Sequence, residues 1–182
     1  MKHKEKIPGE AQNAVEETES KRFSLAELKR QGVSDEAKQK ILNERLRIAV
    51  KTRKYNAVKA ELKRGADVNC RDDSGRTIFI QAMLLYNVKS KECRKILELL
   101  LDEGADISAG DNTGMTALHY ATMEDDIRAI RFLLRNGAYP SATNSSMQQP
   151  LNFVLSPKAK GILAMHVKIW EKAKDAKKDL RE

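Results

Sequence analysis

The chain has few of the residues that build cross-linked, metal-binding or nucleophilic sites. Its 182 residues include two cysteines and three histidines. Cys70 and Cys93 do not form a Cys-x-x-Cys pair, and the histidines lie too far apart in the sequence to suggest a shared site. We therefore expect two free thiols, no metal ion and no cofactor.

Long apolar runs are also lacking. No stretch reaches the roughly 18 uncharged apolar residues that a membrane-spanning helix needs. The basic start at residues 1–9 is not followed by the apolar core of a secretory signal. We expect a monomeric, cytoplasmic protein without a membrane span.

Sequence motifs of catalysis are missing too. The chain has no glycine-rich phosphate loop, no local signature of a Ser-His-Asp or Cys-His set and no metal-ligand spacing. Carboxylates do cluster at residues 102–103 and 124–126. Acidic side chains are common near helix ends and turns, where these positions are predicted to lie. The sequence therefore favours a binding protein over an enzyme.

What the chain does contain is a repeated stop signal. Gly65-Ala66, Gly104-Ala105 and Gly137-Ala138 each follow helix-favouring residues, at intervals of 39 and 33 residues. Glycine can end a helix here because it adopts a left-handed conformation without steric cost. This spacing predicts stacked units, because a single unit would leave an apolar face uncovered.

A six-residue segment that opens a helix follows each stop at a fixed distance. The segments are Thr77-Ile78-Phe79-Ile80-Gln81-Ala82, Thr116-Ala117-Leu118-His119-Tyr120-Ala121 and Gln149-Pro150-Leu151-Asn152-Phe153-Val154. A degenerate copy, Glu44-Arg45-Leu46-Arg47-Ile48-Ala49, lies 33 residues before the first. Four units are therefore predicted.

The third unit carries the most specific pattern. Its segment Thr116-Ala117-Leu118-His119-Tyr120-Ala121, after the turn Asp111-Asn112-Thr113-Gly114, resembles the ankyrin repeat, whose signature is Thr-Pro-Leu-His-x-Ala with a 33-residue period. The resemblance covers about residues 40–165 and weakens in the first and fourth units. It implies an all-α fold, an ankyrin-repeat solenoid of about four stacked helix-turn-helix units with hairpin-like turns and helical caps.

Composition and pattern divide the chain into segments. We predict a disordered tail at 1–22, N-terminal capping helices at 23–39, the ankyrin-repeat domain at 40–165 and a C-terminal capping helix with a basic tail at 166–182. The predicted units span about 40–71, 72–110, 111–143 and 144–165. Trp170 lies on the apolar stripe of the last helix, so we expect it to be buried, with exposure as a partner anchor as the alternative.

Departures from the family pattern generate further expectations. Only Thr116 and His119 keep the pair that joins neighbouring loops in the family, so we expect a thinner network between units than in an idealised member of the family. Glu61 stands in the register of Leu100 and Leu133, which suits an outer face that is partly exposed to solvent.

The 39-residue unit has about six extra residues within 84–92. These either lengthen both helices or, being apolar from Leu84 to Val88, form a partner anchor.

Positive charge is concentrated in residues 38–64, which carry ten basic and two acidic side chains, a net charge of +8. The candidate basic patch comprises Arg45, Arg47, Lys51, Arg53, Lys54, Lys59, Lys63 and Arg64. A solvated face without a specific ligand is the simplest interpretation, an acidic protein partner the next, and nucleic acid the third. Nucleic acid ranks last because Tyr55 is the one aromatic residue in this stretch that could stack on bases.

The resemblance also implies a partner surface, because ankyrin repeats usually bind with their turn tips and the exposed side of each first helix. Carried onto matching positions, this surface comprises Lys51, Asp73, Ser74, Arg76, Leu84, Leu85, Asn112, Thr113, Met115, Met123, Glu124, Ser145, Ser146 and Gln148. We therefore predict a non-catalytic scaffold for protein–protein interaction. The alternatives are a binder of nucleic acid or another anionic surface through residues 38–64, and an exported bacterial effector that acts on host proteins.

Overall fold

The computed structural model describes residues 34–85 and 90–179. Its α-helices are α1 (Asp35–Lys51), α2 (Tyr55–Lys63), α3 (Ile78–Leu85), α4 (Lys91–Asp102), α5 (Ala117–Met123), α6 (Ile127–Arg135) and α7 (Pro157–Asp179), with a 3-10 helix at Pro150–Phe153. The predicted tail at 1–22, the first N-terminal capping helix and residues 86–89 lie outside the described residues. The predicted all-α repeat fold is confirmed.

The helices pair into four units that stack in two rows. α1 packs on α2, α3 on α4, α5 on α6, and the 3-10 helix on α7. In the first row α1, α3, α5 and the 3-10 helix contact each other in turn. In the second row α2 contacts α4 and α6 contacts α7, whereas α4 and α6 approach each other less closely. Fully buried side chains fill the space between the rows, among them Leu46, Ile78, Phe79, Ile96, Leu100, Leu118, Ile130 and Leu133.

The second helix of each of the first three units stops in the same way. Gly65, Gly104 and Gly137 have φ values of 96°, 90° and 89°, the left-handed conformation predicted for them. The alanine that follows each glycine donates its amide to a carbonyl five residues earlier, as Ala66 does to Glu61 at 3.1 Å. This bond satisfies a carbonyl that the helix end would otherwise leave unpaired.

Asparagine side chains hold the backbone that follows the first two helix stops. Within the first unit, Asn43 accepts a hydrogen bond from the amide of Asp67 at 2.9 Å. Between the first and second units, Asn69 accepts one from the amide of Asp106 at 2.8 Å. Asn69 also donates to the carbonyl of Gly104 at 3.0 Å. The first and second units are therefore joined through Asn69, which lies outside the six-residue segments, although no Thr–His pair is kept there.

The one retained Thr–His pair crosses to the fourth unit. The amide of Thr116 donates to Nδ1 of His119 at 3.1 Å, and Nε2 lies 3.1 Å from the carbonyl of Gln148. Because Nδ1 accepts a hydrogen bond, the neutral imidazole carries its proton on Nε2 and donates it to Gln148. Burial lowers the pKa of His119 below 6.5, although the bond to Gln148 and the charge of Asp111 oppose this.

The 39-residue unit distributes its extra residues over three places. Compared with the third unit, its first helix is one residue longer, its second helix is three residues longer, and the link between them is two residues longer. The insertion therefore adds most of a helical turn to α4 and little to α3.

The fourth unit departs from the pattern in both of its helices. Its first helix is a single 3-10 turn, and its second helix runs for 23 residues from Pro157, through the boundary predicted at residue 165. Trp170 is 43% exposed and rests against Tyr139, with ring centroids 4.9 Å apart. The prediction that Trp170 is buried was wrong, because α7 is much longer than the nine-residue helix α6 on which it packs.

Glu61 also differs from expectation. It is 9% exposed, so the first unit is closed to solvent at this position. One carboxylate oxygen pairs with Arg64, whereas Oε2 is buried and has no hydrogen-bond partner in the described structure.

Replacing Glu61 with leucine should stabilise the fold. The change removes a buried, half-satisfied carboxylate and supplies the residue found at Leu100 and Leu133, while Arg64 stays hydrated because its side chain is 52% exposed. We expect the free energy of unfolding in urea to rise by about 1–2 kcal/mol. Glu103→Leu, at an exposed site, is the control and should change it by less than about 0.5 kcal/mol. A loss of stability in Glu61→Leu would contradict the expectation.

Burial of neutral His119 should make stability depend on pH. Since its folded pKa lies below 6.5, the unfolded chain takes up a proton that the native chain does not. The stabilisation is present above pH 6.5 and is lost as the pH falls toward the folded pKa. Urea unfolding at descending pH should show a loss of up to about 1.4 kcal/mol per pH unit in this window. The His119→Gln variant should lack this part of the pH dependence. Identical slopes of unfolding free energy against pH in the two chains would refute the prediction.

Candidate functional site

The predicted partner-binding residues that are exposed fall on two parts of the surface. The first part is the hairpin tips that precede the first helices, with Asp73, Ser74, Ser145 and Ser146. The second part, which we call the helix rim, lies at the C-terminal ends of the first helices. It comprises Lys51, Leu84, Leu85, Met123 and Glu124.

At the hairpin tips, other predicted contacts already serve the fold. The side-chain amide of Asn112 donates to the carbonyl of Asp73 at 3.1 Å, and the hydroxyl of Thr113 donates to Asp111 at 2.7 Å. Two further predicted residues are engaged within their own hairpins: Arg76 with Asp72 at 3.0 Å, and Gln148 with Asn144 at 3.2 Å. These polar groups would have to exchange a partner in order to bind a ligand.

Met115 does not belong to the surface. Its side chain is 9% exposed, and its sulfur lies 3.3 Å from the side-chain nitrogen of Asn144 in the next unit. The prediction that Met115 contacts a partner is corrected for this reason: the following hairpin covers it.

The helix rim presents apolar side chains at matching positions of successive units. Leu84 and Met123 are 43% and 48% exposed, and Lys51 occupies the corresponding position in the first unit. Leu85 is also exposed, and its carbonyl accepts a hydrogen bond from Arg53 at 2.8 Å. The described part of the insertion is thus an exposed apolar edge, whereas Tyr86 and Val88 lie outside the described residues.

A groove of about 380 Å³ opens beside the helix rim, between α3 and α5. We call it the inner groove. It is lined by Met83, Leu84, Ala117, Tyr120, Ala121, Glu124, Asp126 and Ala129. Ala117 and Ala121 are one helical turn apart on α5, and their small side chains leave room between this helix and α3. The groove joins the first-helix surfaces of the second and third units.

Tyr120 and Asp111 are held together beside the inner groove. The phenol of Tyr120 donates to Oδ2 of Asp111 at 2.5 Å. Burial, reinforced by Asp111, raises the pKa of Tyr120 to about 12. Burial would raise the pKa of Asp111 as well, but hydrogen bonds from Tyr120, Thr113 and the amide of Met115 hold it below its ordinary value. Tyr120 therefore stays protonated at neutral pH and is fixed in place.

Two carboxylates lie at the groove. Asp126 caps α6 by accepting the amides of Arg128 and Ala129 at 2.9 and 3.2 Å. Glu124 is exposed, and its side chain has no hydrogen bond or ion pair with the described residues. The groove thus combines an apolar surface with a negative edge.

Sequence reasoning found the rim but missed most of the groove lining. Leu84 and Glu124 were predicted, whereas Met83, Tyr120 and Asp126 were not. The available signal was the pair of alanines at Ala117 and Ala121, which we interpreted as part of the repeat signature alone.

The predicted basic patch is partly occupied by contacts within the chain. Arg47 pairs with Glu44 at 3.1 Å and also donates to the carbonyl of Arg71. Arg64 pairs with Glu61, and Arg53 bonds to the carbonyl of Leu85. Lys51, Lys54, Lys59 and Lys63 are exposed. A local excess of basic residues therefore overstates the charge available to a ligand here.

The residues that the structure describes form neither a metal-binding cluster nor a membrane-spanning helix. Within 34–85 and 90–179, no group of three His, Cys, Asp or Glu side chains is arranged to hold a metal ion. The same part of the chain contains no helix with the length and apolar character required to cross a bilayer. Cys70 and Cys93 are both free and buried, and burial raises the pKa of Cys70 to about 11.

Comparison with known proteins places these features in a family. A model of three ankyrin repeats matches residues 46–144. Human BCL-6 corepressor-like protein 1 is 31% identical over 101 residues, which cover 56% of this chain and 5% of that protein. The mouse B-cell lymphoma 3 protein homolog is 33% identical over 119 residues, covering 65% of this chain and 25% of that protein. The chain thus spans a small part of these relatives.

A solved structure and a further relative also contain this type of repeat or resemble the chain in sequence. The solved ankyrin repeat domain of Bcl-3, described as a unique member of the IkappaB protein family, aligns with a TM-score of 0.59 and 32% identity over 65% of this chain and 50% of that one. The E3 ubiquitin-protein ligase Ufd4 of Drosophila melanogaster is 32% identical over 88 residues, 48% of this chain and 3% of that protein. Because the family model covers more than half of its length, the chain belongs to the ankyrin repeat family.

Proposed function

We propose that the chain is a non-catalytic protein-binding module whose partner inserts an apolar side chain into the inner groove. Ankyrin repeats are generally protein-interaction modules, and the fold is typically a non-enzymatic scaffold. Repeat proteins use the extended concave surface of the stack for binding. The observation that carries the proposal is the groove between α3 and α5, flanked by exposed Leu84 and Met123.

The chemistry of the groove favours one kind of partner segment. Its lining of Met83, Leu84 and the Tyr120 ring suits a large aliphatic or aromatic side chain, because burying such a group supplies most of the affinity at small interfaces. Glu124 at the edge has no partner in the described structure and favours a cation next to that anchor. We infer an apolar residue flanked by lysine or arginine.

The polar groups near the groove support binding over catalysis. Asp111 and Tyr120 are committed to each other, and the raised pKa of Tyr120 makes its phenol a poor general base at neutral pH. Asp126 is committed to capping α6. The remaining carboxylate, Glu124, is left without an acid–base partner, because the other titratable residues of the groove, Tyr120 and Asp126, are engaged in these contacts.

Selection from a displayed library of random peptides tests both the site and its chemistry. We expect enriched peptides to combine a large apolar residue with a neighbouring lysine or arginine. Leu84→Arg with Met123→Arg should weaken binding of an enriched peptide by about 2 kcal/mol, or roughly 30-fold, in fluorescence anisotropy. Glu124→Lys should shift the enriched flanking residue from basic to acidic.

A matched control separates the groove from general surface effects. Leu155→Arg with Met165→Arg makes the same exchange at exposed apolar positions outside the groove, which are 83% and 53% exposed. Peptide affinity should be unchanged in this control, and thermal unfolding should be similar in both double variants. If both lose the peptide equally, or if Glu124→Lys leaves the selected sequences unchanged, the proposed site is wrong.

A further inference from the structure

We infer that the chain has a second binding surface, an arginine-lined groove between α4 and α6 that takes an acidic protein segment. The groove measures about 330 Å³ and is lined by Arg94, Glu98, Arg128, Arg131, Phe132, Arg135 and Asn136. It belongs to the second row of helices and shares no lining residue with the inner groove. We call it the outer groove.

The outer groove exists because the second row is unevenly spaced. α2 contacts α4 and α6 contacts α7, but α4 and α6 approach each other less closely. The apolar side of α6, with Ile130 and Leu133, is buried in the core. Its other side therefore faces the gap and presents arginines to solvent.

Three of these arginines form a row. Arg128, Arg131 and Arg135 are spaced by three and four residues, which places them on one side of α6 over about 10 Å. All three are exposed, and no carboxylate of the described residues forms an ion pair with them. Unlike Arg47 and Arg64 of the first unit, they pair with no acidic side chain in the part of the chain that the structure describes.

The chemistry of this row fits carboxylates. The planar guanidinium offers two parallel N–H donors that match a carboxylate, and it is less strongly hydrated than a lysine ammonium. Acidic side chains three and four residues apart on a partner helix would repeat at the same interval along the groove. Phe132, half-buried between the arginines, provides an apolar floor for the methylene groups of glutamate.

The neighbouring surface disfavours an extended polyanion. On its other side, α4 borders a groove lined by Glu92, Glu98 and Asp102, with Lys95 the one cation among its lining residues. Glu98 belongs to both grooves, so they adjoin. A nucleic-acid backbone or a membrane plane reaching across the second row would meet these carboxylates, whereas a short acidic segment stays beside α6.

A designed peptide tests the inference without knowledge of the natural partner. The probe is a fluorescein-labelled, alanine-rich helix with glutamates three and four residues apart, and its twin carries glutamine instead. We expect anisotropy to show binding of the glutamate peptide that weakens with added salt. Arg128→Ala with Arg131→Ala and Arg135→Ala should lower its affinity at least about tenfold, the combined effect of three exposed ion pairs.

The matched control removes the same charge elsewhere. Lys40→Ala with Lys158→Ala and Lys160→Ala changes exposed lysines outside the outer groove and should lower the affinity less than about threefold. Thermal unfolding verifies that both triple variants are folded. The inference is overturned if the two triple variants lose affinity equally or if the glutamine peptide binds as well. It is also overturned if a DNA duplex or phosphatidylserine vesicles bind through the three arginines more tightly than the glutamate peptide.

Discussion

Neighbouring units of this stack are tied together by hydrogen bonds between the backbone that leaves a helix stop and a polar side chain of the preceding unit. A left-handed glycine at Gly104 or Gly137 turns the chain so that the amide two residues later points back toward that unit. Asn69 accepts the amide of Asp106, and the hydroxyl of Ser108 accepts the amide of Tyr139. The end of each second helix is thus fixed against the unit before it, and the grooves lie between elements that these contacts hold side by side.

Features that depend on neighbouring residues in the chain could be predicted from the sequence. The helix stops were predictable because glycine has a local conformational advantage, and the capping role of Thr116 depends on His119 three residues later. The exposed residues Leu84 and Met123 were predictable as well, because the repeat period assigns both to the same position.

Features that depend on how closely two units approach were not predictable in this way. Met115 is buried because Asn144 of the next hairpin covers it, and Glu61 is buried on a helix against which α4 of the next unit packs. The inner groove depends on the space that Ala117 leaves in front of α3, which no pattern within α5 reveals. Trp170 was misjudged because helical periodicity defines an apolar stripe without defining the length of the surface that covers it.

The basic residues show the same difference between a count along the sequence and the contacts made in the fold. A count over residues 38–64 identified the largest local excess of basic residues, but some of these side chains bond to groups of their own chain. The arginines of α6 contribute less to such a count and yet have no acidic partner in the described structure. Their spacing along the helix, and not their number, makes them a row.

The short helix α6 has a further consequence, because it contributes lining residues to both grooves. Ala129 lines one groove, while the adjacent Arg128 lines the other. Because a packed helix moves as a rigid unit, a displacement of α6 reaches the lining of both grooves. Ligands in the two grooves that favour different positions of α6 would therefore be coupled, and the effect of either ligand on the binding of the other would be equal in free energy.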